Sequence, residues 1–464
     1  MTKLFKIIFP GKLFDEMIRH LRSSRDKESG CYLLAHRYAG RGDIMVATIV
    51  GIIKPETGSW ERQGEHTLRP TSAFINQAAV AAEREGCGLF FVHTHPNLDH
   101  PPTFSPIDEE TNSRLLPNLA EILPGAPIGS LVLSGAGLYG EILQQNKLRP
   151  ITIAKVNGRT TSTLDVPGIK GFAGSSSERV DRQVRALGNK VQIQIAQSTA
   201  VIVGAGGTGS AVATQLARMG IKKLILIDMD SIDQSNLSRV YGANQKDVGK
   251  SKVRVLKKYL ESFSNTEVEA VVADVTKEDV TKTIAESDVI FGCTDNLTSR
   301  ALMNDVALQY YIPLVDIGCR IHLYEHRAIR QAVVKVQVVT PDDACLWCTG
   351  TLEGMAILQE SMSPAEKRRL VSEGYYEPAE KQPSVISITS LAGSVGVNKF
   401  LALLGVFGDD YPTRTQIELK SEFMISDSPN IRQDCVCHAR RGMGDSRRIA
   451  FPKTKALKTI GPDA

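Results

Sequence analysis

Hydrophobic and polar positions along the second half of the chain predict alternating strands and helices. Five short apolar runs rich in β-branched residues have the length of buried strands, and stretches of helical periodicity separate them. The runs are residues 199–203, 223–228, 267–273, 288–292 and 312–316. This alternation predicts a doubly wound, mainly parallel sheet of the Rossmann type. A long helical stretch near 383–405 and a strand-rich segment follow it.

The first half of the chain predicts a separate mixed α/β domain. GKLFDEMIRHLRS and SAFINQAAVAAERE have helical periodicity, whereas CYLLAHR, IMVATIVGII and GLFFVH are typical of strands. Residues 157–177, rich in Gly, Ser and Thr, are predicted to be a linker. The predicted organisation is therefore α/β domains at 1–156 and 178–445, followed by a basic tail at 446–464.

A glycine-rich loop follows the first strand of the second domain. TAVIVGAGGTGS places Gly204, Gly206, Gly207 and Gly209 between an apolar strand and the helical AVATQLARMG. Glycines in this context let backbone N–H groups approach phosphates at a helix N-terminus. The strand KLILID then ends at Asp228, where a carboxylate can accept hydrogen bonds from ribose hydroxyls.

Charged residues around this loop favour a triphosphate with Mg²⁺ over NAD. They follow the predicted strands, at the sheet edge where ligands bind in open α/β folds. The set comprises Asp228, Asp230, Asn236, Arg239, Lys252, Asp295 and Asn296. A nicotinamide pocket would need apolar walls, whereas ATP and its metal need cations and carboxylates. Taken singly, Arg239 and Lys252 would be solvated charges and Asp295 a helix cap.

Residues 178–440 resemble the ThiF/MoeB and ubiquitin-activating enzyme superfamily. The resemblance rests on GAGGTGS, DMDSIDQSNLSR, GKSK, the TDN box and an upstream ERVDRQVRALG, with Val240-Tyr241 where the family usually has Gln. It implies a ribose ligand at Asp228, phosphate and transition-state contacts at Asn236, Arg239 and Lys252, and a magnesium carboxylate at Asp295. Arg182 matches the arginine that reaches the partner's triphosphate in family dimers, so a homodimer is expected.

The resemblance implies ATP-dependent activation of a ubiquitin-like protein. The C-terminal carboxylate of that protein would attack the α-phosphate, and pyrophosphate would leave. Arg239, Lys252 and Mg²⁺ would neutralise the developing charge.

Four cysteines predict a structural zinc site. Cys345 and Cys348 form a CxxC pair, and Cys435 and Cys437 form a CxC pair followed by His438. The family's second pair is normally CxxC, so either Cys437 or His438 is the fourth ligand. The alternative is that these are ordinary buried cysteines.

The crossover region LVSEGYYEPAEKQPSVISITSLAGSVG contains no cysteine, although family members that form a thioester carry one there. Cys293 and Cys319 lie in apparent strands, and Cys31 and Cys87 lie in the first domain. Ser384 could take the acyl group as an ester, but a serine there is more often a helix N-cap. We therefore expect transfer to a partner, either a conjugating enzyme or a sulfur acceptor.

A second candidate metal site follows the strand GLFFV in HTHPNLDHPPTFSPID. His93 and His95 lie on one side of an extended segment, and Asp108 lies in the first turn of the next helix. These three ligands would hold Zn²⁺ and leave a fourth position to water, which is a catalytic arrangement.

Residues 1–145 resemble the JAB/JAMM (MPN) metalloproteases, which use HxH, then SxxD, and a distant upstream Glu. The resemblance implies that Glu28 in KESGCYLLAHR is the general base and that Ser105 supports the oxyanion. The loop between His95 and Ser105 is two residues longer than usual, and GCY replaces CG after Glu28. The alternative is an inactive domain of this fold.

Composition limits the remaining possibilities. The 464 residues are 42% hydrophobic and 23% charged with a net charge of +4, which gives no indication of nucleic-acid binding. We expect a cytoplasmic protein, because no secretory signal is seen and no apolar run approaches the length of a spanning helix.

The combined hypothesis is an enzyme that both processes and activates a ubiquitin-like protein, similar to fusions in bacterial ubiquitin-like operons. The alternatives are an NAD-dependent oxidoreductase and a non-catalytic scaffold that binds ubiquitin-like tails.

Overall fold

The computed structural model describes residues 4–23, 26–40, 44–65, 67–95, 101–135, 137–166, 178–325, 328–372, 383–447 and 449. Three parts of the sequence predictions lie outside these residues: 167–177 of the linker, 373–382 of the crossover region, and 450–464 of the tail. We refer to residues 4–166 as the N-terminal region and to residues 178–449 as the C-terminal region.

The N-terminal region has a central sheet with helices on both faces. Its elements are β1 (Leu4–Pro10), α1 (Gly11–Leu21), β2 (Gly30–Ala39), β3 (Ile44–Ile53), β4 (Trp60–Gln63), β5 (Leu68–Pro70), α2 (Ser72–Glu85), β6 (Gly88–Thr94), α3 (Pro106–Ile122), β7 (Ile128–Ser134), β8 (Gly137–Gln144), β9 (Lys147–Pro150), β10 (Ile153–Asn157) and β11 (Thr161–Leu164). The strand order is β11-β10-β1-β3-β2-β6-β7-β8-β9, and β4 pairs with β5 separately.

Alternation along β2 divides the core of this region into two layers. Leu33 packs with Met17 of α1 on one face, whereas Tyr32 packs with Phe74 of α2 and Leu116 of α3 on the other. Central β6 is covered on both sides and ends at the residues of the second candidate metal site.

The C-terminal region contains the predicted doubly wound sheet. Its helices and strands are α4 (Asp181–Gln197), β12 (Thr199–Val203), α5 (Gly207–Arg218), β13 (Lys223–Ile227), α6 (Lys252–Glu261), β14 (Glu267–Val271), α7 (Glu278–Ile284), β15 (Val289–Gly292), α8 (Leu297–Tyr310), β16 (Leu314–Leu323), β17 (Ile329–Val339), α9 (Gly354–Ser361), α10 (Pro364–Ser372), α11 (Ile386–Leu403), β18 (Arg414–Glu418) and β19 (Phe423–Asp427). The predicted strands near 199, 223, 267 and 288 are confirmed within one or two residues.

The sheet is parallel at one end and antiparallel at the other. Its order is β14-β13-β12-β15-β16-β17-β18-β19, and β14, β13, β12, β15 and β16 run parallel. The predicted strand at 312–316 is too short, because β16 continues to Leu323 and pairs antiparallel with β17. In this extension only Ile317 and Ile321 are buried, so it forms no apolar run and its pattern is weaker than that of the central strands.

One helix, α11, differs from the expectation that no apolar stretch approaches the length of a membrane-spanning helix. α11 has 18 residues with mean hydropathy 1.3, so by length and composition it is apolar enough to cross a membrane. However, 61% of it is buried, and it packs against α5, β16 and β17. A core helix gives the same composition.

The predicted boundaries at 157 and 446 differ from the structure. Asn157 to Thr161 form the turn that leads into β11, which pairs with β10, so the predicted linker begins with sheet structure. Ser446 ends a short 3-10 helix, and Ile449 is buried, so the first residues of the predicted tail are packed.

The two regions share a core. Tyr38 of β2 contacts Tyr310 of α8 with ring centroids 4.6 Å apart, and Ile8 and Val46 join the same cluster. The Asn157 side chain donates a hydrogen bond to the Tyr311 carbonyl (2.7 Å).

Candidate functional site

The glycine loop connects β12 to α5 at the carboxyl edge of the sheet. Gly204 has φ +94°, and a Cβ there would lie 2.6 Å from the Cys293 carbonyl oxygen. A Cβ at Gly209 would lie 1.8 Å from the Gly204 carbonyl oxygen, and one at Gly207 would contact Thr389. A Cβ at Gly206, which caps α5, would meet no atom within 4 Å. The loop is therefore packed from below and open at Gly206, beside the first N–H groups of α5.

Asp228 connects the loop to the next strand. Its carboxylate accepts hydrogen bonds from Ala205 N–H (2.7 Å) and Asp230 N–H (2.8 Å). Burial raises the pKa of Asp228 although these two hydrogen bonds oppose the shift. Asp228 thus positions the loop backbone in addition to the ribose contact predicted from the sequence.

The predicted phosphate-binding residues follow β13. Lys252 Nζ lies 2.7 Å from Asp230 Oδ2, and Lys252 N–H donates to the Asp230 carbonyl, which fixes the start of α6. Asn236 is buried and accepts a hydrogen bond from Asp233 N–H. Arg239 Nη1 donates to the Ser235 carbonyl (2.8 Å). Of these side chains, Lys252 is held by an acidic partner, whereas Arg239 has only a backbone acceptor among the contacts described.

Asp295 and Asn296 follow β15, the strand next to β12. Asn296 caps α8 by accepting from Ser299 N–H (2.8 Å), so its side chain has a structural role. Asp295 is exposed and has no hydrogen bond or ion pair with any other described residue. A carboxylate of this kind, at the edge shared with the glycine loop, is a suitable ligand for Mg²⁺.

Two residues at this edge were missed by sequence reasoning. Glu360 of α9 accepts hydrogen bonds from Leu297 N–H and Thr298 N–H (both 2.9 Å), the first N–H groups of α8. Arg300 forms an ion pair with buried Asp316 of β16 (2.8 Å). A lone Asp inside the apolar LVDIG was the only signal for the second contact; no pattern signalled the first.

Arg182 has no described contact with the residues of this group. It is exposed near the start of α4 and makes no hydrogen bond or ion pair with other described residues.

The two cysteines considered as acyl acceptors are weak nucleophiles, because burial raises the pKa values of the Cys293 and Cys319 thiols. Ser384 is not the N-cap of α11, since Val385 occupies that position.

The predicted zinc ligands of the N-terminal region come together at the end of β6. His93 Nε2 lies 3.2 Å from His95 Nε2 and 3.4 Å from Asp108 Oδ1, and His95 Nε2 lies 3.5 Å from Asp108 Oδ2. A tetrahedral zinc ion with N and O ligands requires ligand atoms about 3.3 Å apart. The donor set and its spacing therefore fit zinc.

The surroundings of this cluster orient its side chains. The His93 ring is stacked on Phe91 and Phe104 with interplanar angles of 18°, while its Nδ1 is buried without a partner among the described residues. Hydrogen bonding to Asp108 raises the pKa of His95. Burial alone would raise the pKa of Asp108, but hydrogen bonds from His93 and His95 hold that pKa well below its usual range.

Glu28 and Ser105 flank the same cluster. Glu28 is buried with Oε1 3.9 Å from His95 Nε2, and burial raises its pKa to about 7. Ser105 caps α3, and its hydroxyl donates to Asp108 Oδ2 (2.7 Å). Glu28 thus has the pKa of a general base at neutral pH, whereas Ser105 is engaged in holding the Asp108 carboxylate.

The four cysteines form one cluster. Sγ of Cys345 lies 3.7 Å from Sγ of Cys348 and of Cys435, and Sγ of Cys348 lies 3.8 Å from Sγ of Cys437. A tetrahedral zinc with thiolate ligands requires sulfur atoms about 3.8 Å apart. His438 is directed elsewhere, because its Nε2 donates to the Arg432 carbonyl (2.9 Å). The geometry therefore favours Cys437 over His438 as the fourth ligand.

A cation also approaches this cluster. Arg441 Nη2 lies 3.6 Å from Cys437 Sγ. A hydrogen bond from the Cys345 thiol, assisted by the Arg441 charge, lowers the pKa of Cys437 to about 4. A thiol that loses its proton readily is suited to bind a metal.

Comparison with known proteins covers mainly the C-terminal region. The ThiF family model matches residues 180–439. The SAMP-activating enzyme E1 of Haloferax volcanii is 32% identical over 163 residues, which cover 35% of this chain and 57% of that protein. The sulfur carrier protein ThiS adenylyltransferase of Bacillus subtilis is 32% identical over 136 residues, covering 29% of this chain and 40% of that protein. The chain thus spans less than two thirds of the length of these relatives.

A solved structure of E. coli MccB with succinimide has a TM-score of 0.45 and 17% identity, covering 56% of this chain and 74% of that chain. A likeness at this level carries no argument about activity. The family match is different, since it extends over more than half of the residues and includes the glycine loop, the acidic edge and all four clustered cysteines. The chain belongs to the ThiF family.

Proposed function

We propose that the chain uses ATP to adenylate the C-terminal carboxylate of a ubiquitin-like or sulfur carrier protein. The observation that carries the proposal is the glycine loop, open at Gly206, beside the exposed Asp295 carboxylate on the neighbouring strand. Membership of the ThiF family supports it, as do the names of the relatives described above.

The chemistry assigns a role to each side chain. Backbone N–H groups at the start of α5 would bind phosphate oxygens, and Asp228 would bind the ribose. Lys252 and Arg239 would neutralise charge on the phosphoryl oxygens as the carboxylate attacks the α-phosphorus and pyrophosphate leaves. Mg²⁺ held by Asp295 would add to that neutralisation. Since Lys252 is paired with Asp230 and Arg239 with a backbone carbonyl, both side chains would reorient towards ATP.

ATP–pyrophosphate exchange with candidate ubiquitin-like proteins ending in Gly tests this proposal. The wild-type chain should catalyse exchange that depends on the small protein, and Asp295→Ala should reduce the rate by about 100-fold or more, an effect typical of lost charge stabilisation. Glu261→Ala is a matched control, because this exposed carboxylate lies at the far end of the helix that begins with Lys252. Absence of exchange with every ubiquitin-like protein encoded beside this gene would refute adenylation.

The activated acyl group is proposed to pass to a partner. The raised thiol pKa values of Cys293 and Cys319 support this, because a protonated thiol is a poor nucleophile. A double variant with both cysteines replaced by Ser should keep the wild-type exchange rate and still deliver the acyl group to a conjugating enzyme or sulfur acceptor. A labelled thioester on the wild-type chain that the double variant lacks would contradict this part.

A homodimer with shared sites is proposed from the resemblance of the segment around Arg182. Arg182 is exposed and makes no hydrogen bond or ion pair with other described residues, so its guanidinium is available to a second copy. Mixing Arg182→Ala with Asp295→Ala should restore exchange, because a mixed dimer contains one site with both residues. Two inactive variants that stay inactive when mixed would argue for a site completed within one chain.

A second activity, zinc-dependent hydrolysis, is proposed for the N-terminal region. It is supported by the spacing of the His93, His95 and Asp108 ligand atoms and by the raised pKa of nearby Glu28. When bound, Zn²⁺ would activate a water molecule and polarise the scissile carbonyl. Glu28 would accept the proton of that water, and the ring stacking around His93 would keep the imidazole in place.

Cleavage of a precursor that carries residues beyond its C-terminal Gly tests this second activity. Wild-type protein should release the extension, whereas His93→Ala and Glu28→Gln should not, and Glu28→Gln should retain zinc. Asp295→Ala should cleave at the wild-type rate, which separates the two sites. Equal cleavage by wild type and Glu28→Gln would show that Glu28 is not the general base.

Two rival functions make different predictions. An NAD-dependent oxidoreductase should bind a dinucleotide without Mg²⁺, and a scaffold should bind ubiquitin-like tails without exchange or cleavage. The charged edge formed by Asp230, Lys252 and Asp295 favours ATP over a dinucleotide, and the exchange and cleavage assays distinguish an enzyme from a scaffold. A cytoplasmic location is proposed together with this function, since ATP and small carrier proteins are both present there.

A further inference from the structure

A short segment connects the four-cysteine cluster to the N-terminal region. We define residues 438–447 as the strap; it begins directly after Cys437 and includes the short 3-10 helix Gly444–Ser446. Apart from this turn and the end of the preceding one, the strap has no regular secondary structure. Its conformation therefore depends on side-chain contacts at both ends.

At one end, the strap is attached to the cysteine cluster. Arg441 Nη2 contacts Cys437 Sγ (3.6 Å) and donates to the Asp343 carbonyl (2.9 Å), just before the first CxxC pair. Arg441 Nη1 donates to the Pro341 carbonyl, and Arg440 pairs with Asp305 of α8. The cysteine cluster and the first residues of the strap thus form one unit.

At the other end, the strap makes hydrogen bonds with β2 and β3. The buried Thr48 hydroxyl donates to the Gly442 carbonyl (2.6 Å). Ala39 N–H donates to Asp445 Oδ2 (2.8 Å), and Ser446 Oγ lies 2.9 Å from His36 Nδ1. These contacts join the strap to both strands through backbone and side-chain groups.

Two glycines let the strap lie close to both regions. A Cβ at Gly442 would lie 2.5 Å from both Tyr311 Oη and Val50 Cγ1, which belong to different regions. A Cβ at Gly444 would lie 2.5 Å from the Arg37 carbonyl oxygen. Both glycines have positive φ. At these two glycines the strap backbone therefore lies in close contact with both regions.

We propose that metal binding by Cys345, Cys348, Cys435 and Cys437 holds the strap and thereby docks β2 and β3 of the N-terminal region onto the C-terminal region. Without a metal, the buried sulfur atoms have no cross-link, and the strap loses its attachment at Cys437. Its hydrogen bonds to α8 remain: Gly442 N–H donates to the Leu308 carbonyl (2.9 Å), and the Gln309 side chain donates to the Gly444 and Arg447 carbonyls. Metal-binding free energy at such sites contributes directly to local folding. The cluster therefore connects the two regions and also stabilises the C-terminal region.

Other contacts between the regions do not depend on the cluster. Asn157 bonds the Tyr311 carbonyl, Lys155 pairs with Asp288, and Lys12 N–H donates to Asp342 (3.0 Å). Removal of the metal should therefore leave both sheets folded and loosen specifically the part of β2 and β3 that the strap covers.

The Ala39 amide is a direct reporter, because its hydrogen is bonded to the strap. Hydrogen–deuterium exchange of full-length protein, followed by mass spectrometry, should show about tenfold or faster exchange in the peptide that contains Ala39 after zinc is removed by a chelator. A tenfold change corresponds to about 1.4 kcal/mol of local stability. Adding zinc back should restore slow exchange, and peptides from α2 should not change.

Three variants test whether the metal cluster and the strap control hydrogen exchange at Ala39. Cys437→Ser should show fast exchange at Ala39 without a chelator, whereas His93→Ala, which affects only the other candidate metal site, should stay slow. Gly444→Val should retain one zinc in the cysteine cluster and still show fast exchange, because the strap itself is displaced. The proposal is overturned if zinc-free and zinc-loaded chains exchange equally at Ala39, if the cluster binds no zinc, or if Gly444→Val remains slow.

Discussion

At the residue scale, the glycines of the nucleotide loop differ in what constrains them. Gly204 and Gly209 are required by backbone atoms within the protein, whereas a side chain at Gly206 would enter open space above the start of α5. The sequence motif predicts all four glycines but does not distinguish these causes, because it does not specify which carbonyl oxygens lie opposite each Cβ. The structure therefore separates glycines that the protein's own packing requires from one at which a side chain would face open space.

Gly206→Ala and Gly209→Ala should affect different properties: the first should weaken ATP binding, and the second should lower the free energy of unfolding. Gly206→Ala should change the free energy of unfolding by less than about 0.5 kcal/mol, but it should weaken ATP binding about tenfold, because its methyl group occupies the space for a phosphate. Gly209→Ala should lower the free energy of unfolding by about 2 kcal/mol, because the Gly204 carbonyl cannot move freely. Urea unfolding and calorimetric ATP titration measure the two effects. Normal ATP binding by Gly206→Ala would show that phosphates do not enter here.

The fourth ligand of the cysteine cluster is also a residue-scale question. Cys437→Ala should lower the zinc content by about one ion per chain, because Cys437 Sγ belongs to the cluster. His438→Ala should retain the full content, since its ring donates to a carbonyl outside the cluster. Zinc measured after gel filtration distinguishes them. Loss of zinc in His438→Ala with retention in Cys437→Ala would reverse the assignment.

At the element scale, Glu360 attaches α9 to the start of α8. Replacing Glu360 by Ala should lower the free energy of unfolding by about 1 kcal/mol, because two N–H groups of α8 lose their acceptor and the helix dipole loses a negative charge. Glu353→Ala is a control, since Glu353 is exposed and makes no capping hydrogen bond with its side chain. Denaturant titration should show a difference between the variants. Equal stability would mean that solvent replaces the carboxylate without loss.

Elements were predictable from the sequence where one local pattern determined them. The central parallel strands β12, β13 and β15 are short apolar runs that are almost wholly buried, as expected for strands covered on both faces. The extension of β16 and the hairpin β10–β11 were not predicted, because many of their residues are only partly buried and give no continuous apolar run, although each pairs with a neighbouring strand along the chain. The capping by Glu360 was missed for a different reason: 63 residues separate it from Leu297.

At the scale of the whole molecule, an ion cluster joins the two sheets. Asp288, just before β15, accepts Thr199 N–H (3.0 Å) and pairs with Lys155 of β10 and Lys6 of β1, whose side chains are only 21% and 14% exposed. Charged residues in separate predicted domains carry no sequence signal of their contact. The candidate ligand sets, by contrast, were predictable because motif spacing specifies each of them within its own region.

The titration of this cluster determines how stability depends on pH. Burial alone would raise the pKa of Asp288, but Lys155 and Lys6 hold that pKa below its usual range. The charged carboxylate therefore stabilises the folded state above about pH 4, and this contribution is lost as pH falls further. Burial, followed by the Lys155 charge, lowers the pKa of Lys6 to about 8. For Lys6 the slope has the same sign: the unfolded chain binds more protons between about pH 8 and 10.5, so this group also makes stability rise with pH in that range.

Asp288→Asn should therefore lower the free energy of unfolding by about 3 kcal/mol at pH 7, because two partly buried lysines lose their counter-ion. Between pH 5 and pH 3 the variant should lose less stability than the wild type, since the group that titrates there is gone. Asp279→Asn, at an exposed position on α7, should follow the wild-type curve. Urea unfolding of the three proteins at several pH values measures this. Parallel curves for wild type and Asp288→Asn in acid would mean that the carboxylate does not hold the two sheets together through its charge.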